Sequence, residues 1–213
     1  MRTPPLAALC LSALLAGCAS TYTSPRSKPL SFKGVSTDTT GLSVEYDYSA
    51  MREAGNVKYA NKAATMGLSL PAIRIKNNTG RDLVIRKDVE FDVGGTPVEP
   101  SEPGSETAEI RQMTGAYAWW LTAATINIFT SKTECDGYSC SSNTSFIPVG
   151  LIAGPLITAI NCGISSGSNT SFEDDVVGHN LLGMTVKAGQ TVTGFLVLKD
   201  LSGNKPISAR LKN

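Results

Sequence analysis

Among the 213 residues, three groups are of types that carry out chemistry. The first is the cysteines, Cys10, Cys18, Cys135, Cys140 and Cys162. Cys135 and Cys140 flank Asp136-Gly137-Tyr138-Ser139 in a polar stretch, a spacing that suits a small disulfide in an oxidising compartment. Cys162 reads as a small buried hydrophobe or as an intermolecular link. The second group is Gly163-Ile164-Ser165-Ser166-Gly167, which fits G-x-S-x-G, with Asp174 or Asp175 and then His179 following as acid and base. That pattern works when a strand precedes the serine and a helix follows it. Here an apolar stretch containing Gly and Pro precedes it, Ser168 and Asn169 follow, and no parallel βαβ frame is visible, so no catalytic residue is assigned. The third is Glu173-Asp174-Asp175, which reads as the solvated first turn of a helix capped by Ser171 rather than as a cation site. Zinc held by three cysteines and His179 matches no ligand spacing. Neither a metal nor another cofactor is implied.

Cys18 is different because of what stands before it. Arg2 supplies a minimal positive start, Leu6 to Ala16 is an apolar run too short to span a bilayer, and Leu15-Ala16-Gly17 leads into the cysteine. Leu15-Ala16-Gly17-Cys18 resembles the lipobox of bacterial lipoproteins. The resemblance implies that residues 1–17 are a signal peptide and that cleavage leaves Cys18 first. Its thiol then takes a diacylglycerol and its amine an acyl chain. Each buried methylene of such chains contributes about 0.8 kcal/mol, so several chains anchor far better than one. Ala19 and Ser20 follow instead of the aspartate that retains Gram-negative lipoproteins at the inner membrane, which points to the outer membrane and a periplasm-facing anchor. The segment from the apolar stretch through Leu181-Leu182-Gly183 and Lys187-Ala188-Gly189-Gln190 to Leu198 is similar to that of uncharacterised envelope lipoproteins; it implies no activity.

Without Arg2 the 19 basic residues become 18, equal to the 18 acidic ones. A neutral chain has no field for nucleic acid. The charged fraction of 17% is low against the usual quarter, which suits a protein beside lipid.

The elements that would position these groups follow from periodicity. Residues 18–40 are rich in Ser, Thr, Pro and Lys and read as the lipidated cysteine and a flexible tether, with a reach of roughly 25 Å. Leu42, Val44, Tyr46 and Tyr48 alternate with polar neighbours as a half-buried strand, whereas residues 50–64 read as a loop with a short helical turn. Leu68 to Lys76 changes phase at Pro71, and Asn77-Asn78-Thr79-Gly80 predicts a β-hairpin with the run Leu83 to Phe91. Gly94-Gly95 predicts a tight turn. Val192 to Leu198, apolar on both faces, predicts a central strand, and Ile207, Ala209 and Leu211 a last one. The fold class is mainly β: residues 41–213 form an immunoglobulin-like antiparallel β-sandwich.

Inserted at about residues 104–178 is an apolar helical hairpin. Its first helix runs from Glu106 to Phe129 and its second from Phe146 to Ile164, kinked at Pro155, with Ser131–Ser145 as a polar tip. Gly150, Gly154, Thr158 and Cys162 recur every four residues, a stripe of small side chains that lets the first helix approach. Two roles follow, neither of them enzymatic. In one, the lipoprotein binds an envelope component or supports assembly, and the hairpin packs on the sandwich. In the other, residues 116–164 enter lipid or mediate self-association; exposure of Trp119, Trp120, Ile152 and Leu156 separates the two. The partners are membrane lipid through acylated Cys18 and an envelope protein or a second copy.

Overall fold

The computed structural model describes residues 18–32, 34–199 and 205–212. Cys10 and Leu15-Ala16-Gly17 lie outside the described residues. In chain order the main elements are β1 (Gly34–Thr37), β2 (Leu42–Asp47), α1 (Val57–Thr65), β3 (Ala72–Asn77), β4 (Val89–Val93), β5 (Thr96–Val98) and α2 (Pro103–Ile110). A 3₁₀ helix (Thr114–Thr125), β6 (Ile128–Asp136), β7 (Ser139–Ile147), α3 (Val149–Gly178), β8 (Thr191–Phe195) and β9 (Ile207–Leu211) follow. They divide into two units. Among the described residues, the sheet unit comprises residues 20–112 and 168–212, and the apolar unit Met113–Gly167 with Cys18 and Ala19.

In the sheet unit, β1, β2, β3 and β8 form an antiparallel sheet in that order, and β9, β4 and β5 form a second. Leu42, Val44, Ile73 and Ile75 from the first meet Val89, Phe91, Val93, Ile207 and Ala209 from the second, all buried. In β3, Ile73 and Ile75 face that core, while Arg74 and Lys76 lie on the opposite face. Ala72 of β3 joins a separate cluster with Met51, Tyr59, Ala63, Ile110, Phe172, Val176 and Phe195, so α1, α2 and the end of α3 are packed by their own core.

The chain is mixed, 39% helical and 33% strand, with its strands divided among several small sheets; the immunoglobulin-like β-sandwich is overturned. Three local departures explain why. Residues 57–65 form a helix because Tyr59 and Ala63, four apart, bury one face, a period that a small alanine does not advertise. The Asn77–Gly80 turn does not join a hairpin: β3 pairs with β2 and β8, while Ile85–Asp88 forms a helical turn before β4. Finally, β8 lies at the sheet's edge, not its centre. Its burial comes from the chain after α3, where the His179 carbonyl accepts from Phe195 N at 2.9 Å. Gly194 permits that approach, since a Cβ there would overlap the same carbonyl. Gly94-Gly95 does make the tight turn, with Val93 opposite Thr96.

Residues 20–32, expected to be part of a flexible tether, are bonded at several points to the sheet unit. Ser20 N donates to Gln112 Oε1 at 3.1 Å and Gln112 Nε2 returns to Ser20 O at 2.7 Å. Thr23 and Asn56 exchange a similar pair at 2.9 and 2.6 Å. Tyr22 packs edge-on against Tyr59 and Phe172, and its hydroxyl donates to Asp175 Oδ2 at 3.0 Å. Arg26 pairs with Asp175 Oδ1 at 3.3 Å. The polar composition that suggests solvation supplies instead the donors and acceptors of a bound strap.

The helical hairpin is also corrected. The run Glu106–Phe129 is interrupted at Gln112, whose N–H and C=O are both taken by the Asn169 amide at 2.8 Å, so the helical ladder cannot continue through it. The expected polar tip is a β-hairpin of two nine-residue strands, β6 and β7, closed at Gly137-Tyr138. Gly137, the first of the two loop residues, takes the positive φ that such a turn needs. α3 runs through Pro155 to Gly178, well beyond Ile164.

Candidate membrane-facing site

The apolar unit is built around one face of α3. A Cβ on Gly150 would overlap the Ala123 carbonyl oxygen, and one on Gly154 would lie 2.9 Å from Ala124 N and 3.0 Å from Trp120 O. These two glycines let the backbone of the 3₁₀ helix lie directly on α3, and Gly150 N donates to Ile126 O at 2.9 Å. Thr158 Oγ1 turns back to Gly154 O at 2.9 Å, and Cys162 Sγ reaches Thr114 O at 3.6 Å. One turn on, Ser165 Oγ lies 3.0 Å from Thr114 Oγ1 and is fully buried.

With that face covered, the others point outward. Ile152, Leu156 and Ile160, spaced by four on one ridge, are 74%, 57% and 51% exposed. Trp119 stacks on Trp120 with ring centroids 4.1 Å apart, yet it is half exposed while Trp120 is buried. Of the residues that separate the two roles, only Trp120 is buried. Among the described residues, every large apolar side chain reported as exposed lies between Met113 and Ile160, apart from Val35, Val57, Val84 and Val177. Soluble monomers rarely present so contiguous a set. α3 is the one described helix long and apolar enough to cross a membrane by length and composition.

Cys18 belongs to this unit. Ala19 N donates to Asn161 Oδ1 at 2.6 Å, and Asn161 Nδ2 in turn bonds Ile157 O at 2.8 Å on α3. The Tyr117 phenol is held above its ordinary pKa, first by burial and then by the charges of Cys18 and Cys162. Cys18 is therefore next to a residue bonded to the helix that carries Ile152, Leu156 and Ile160.

The remaining candidates have other roles. Cys135 and Cys140 form a disulfide across the β6–β7 ladder, one step before the Asp136–Ser139 pair that precedes the turn. Gly163–Gly167 lies inside α3, not on a strand-to-helix turn. Glu173, Asp174 and Asp175 lie near the C-terminal end of α3, so Ser171 does not cap them. Glu173 holds Arg111 at 2.9 Å and Asp175 holds Tyr22 and Arg26. No group of metal-ligating side chains occurs among the described residues. A cavity of about 590 Å³ in the sheet unit is lined by Phe91, Val98 and charged groups, four of which, Arg86, Glu90, Glu102 and Lys212, already have partners. Arg86 pairs with Glu102, Glu90 holds Arg210, and Lys212 Nζ donates to Arg86 O. The latch on Asp175 and the link from Ala19 to Asn161 escape a reading of the sequence, because each joins residues more than 140 positions apart through single polar bonds. No protein-family model, curated protein or solved structure matches the chain.

Proposed function

We propose that this is a non-enzymatic, lipid-anchored envelope protein whose apolar unit rests on the bilayer entered by the acyl chains of Cys18. The outer membrane is the proposed location, on the strength of Ala19 and Ser20 after the lipobox. The observation that carries the reading is the coincidence of anchor and apolar surface. Ala19 is bonded to Asn161, and the exposed ridge of Ile152, Leu156 and Ile160 lies on the same helix. A helix with one face on protein and another offered to lipid suits a position along the interface rather than across it. Trp119 has the amphipathic ring favoured at such a boundary.

A test separates this surface from the anchor. A chain starting at Ala19, and so without lipid, is mixed with anionic liposomes and floated on a density gradient. Flotation with a blue shift of Trp119 emission is expected, and Ile152→Glu with Leu156→Glu should cut the bound fraction at least about tenfold, since burying each aliphatic side chain contributes roughly 1.5–3 kcal/mol. An unlipidated chain that stays at the bottom with unchanged emission refutes the membrane contact.

A further inference from the structure

We propose that the outer edge of β6 binds β6 of a second copy of this chain, the two strands running antiparallel about a two-fold axis at Thr133. This goes beyond the membrane reading and stands on different residues.

β6 and β7 form a sheet by themselves, and all nine residues of each strand are exposed. A lone two-stranded ribbon is marginal in water, and its outer edges carry backbone N–H and C=O groups that template further pairing. The two edges differ. From Ser139 to Ile147, β7 carries no charge, whereas β6 carries Lys132, Glu134 and Asp136 on one face. Across the hairpin Lys132 stands opposite Asn143 and Glu134 opposite Ser141, so neither charge meets its opposite within the ladder.

Antiparallel self-pairing restricts the register. Outward-facing backbone groups must meet outward-facing ones, so the two-fold axis falls on a residue, never between two. An axis at Lys132 sets Lys132 against Lys132, and one at Glu134 sets Glu134 against Glu134. An axis at Cys135 opposes Glu134 to Asp136. Axes at Thr130 or Ser131 leave every charge opposite a neutral residue. At Thr133 alone does Lys132 of each copy face Glu134 of the other, two attractive pairs with no like charges opposed. The same register brings the half-exposed Ile128 level with Tyr138 of the other copy, the most exposed of the large apolar side chains.

The test uses the full-length chain in detergent micelles. Mass photometry should show a dimer. Lys132→Glu or Glu134→Lys alone, each of which creates two like-charge pairs, should weaken it about tenfold. The double reversal Lys132→Glu with Glu134→Lys should restore it. Mild oxidation of Thr133→Cys should yield a covalent dimer, and Ser141→Cys on β7 should not. A chain that is monomeric throughout overturns the proposal, as does a dimer indifferent to both single reversals or a Ser141→Cys variant that cross-links as readily. Loss of liposome flotation with these pairings intact would refute the membrane contact alone.

Discussion

The sheet unit and the apolar unit handle the same kinds of side chain in opposite ways. The sheet unit folds Leu42, Ile73, Ile75, Phe91 and Leu196 into a core and has Phe172, Tyr59 and Phe195 in a second. In the apolar unit Tyr117 and Trp120 are buried, but Ile152, Phe129, Ile126 and Leu151 are largely open. Burial of apolar area drives folding, and this unit leaves much of its apolar area outside, where the proposed membrane contact falls. The contrast separates residues that hold the protein together from those that the proposed membrane contact would use.

The largest effect should come from attacking the first class. Phe172 is fully buried and stacked on Tyr59 with centroids 4.7 Å apart. Phe172→Ala should cost about 3–5 kcal/mol of stability in urea unfolding, whereas Ile152→Ala in the apolar unit should cost less than about 0.5. Equal losses would erase the distinction.

A smaller effect tests the strap. Burial, the Asp175 charge and the bond to it together raise the Tyr22 phenol well above its ordinary 10.0. The fold thus disfavours the phenolate. Stability from this group is full below pH 10 and is lost as the pH rises past it. Tyr22→Phe should cost about 1.5–3 kcal/mol at neutral pH, the worth of a hydrogen bond to a charged group, and should flatten the alkaline decline. An unchanged decline would mean that the strap is not latched at Asp175.

The smallest is local. Gly150→Ala forces the 3₁₀ helix off α3 and should abolish the near-ultraviolet signal of the stacked Trp119 and Trp120 at a cost of about 1–3 kcal/mol within the apolar unit. The urea transition of the sheet unit should not move. A shift there would show that the two regions unfold as one.

The strands with one dry face were legible. Leu42 to Asp47 alternates, and the phase change at Pro71 marks the boundary between Ser69 and Ala72 where one short strand ends and β3 begins. The hairpin of β6 and β7 escaped periodicity because both of its faces are wet, leaving Ser and Thr with no apolar alternation to read. The mixed class escaped because α1 is anchored by Tyr59 and Ala63, and because Asn169 stops a helix far away in sequence at Gln112. At the candidate site the small-residue stripe could be read from its spacing. The association of Ala19 with Asn161 could not, since it depends on one amide reaching across the fold.

That association has a mechanical consequence. A load applied at Cys18 meets the Asn161 bond at the next residue and the Gln112 pair at the one after, before any slack can be drawn out. A pull on Cys18 is thus felt at once inside the fold.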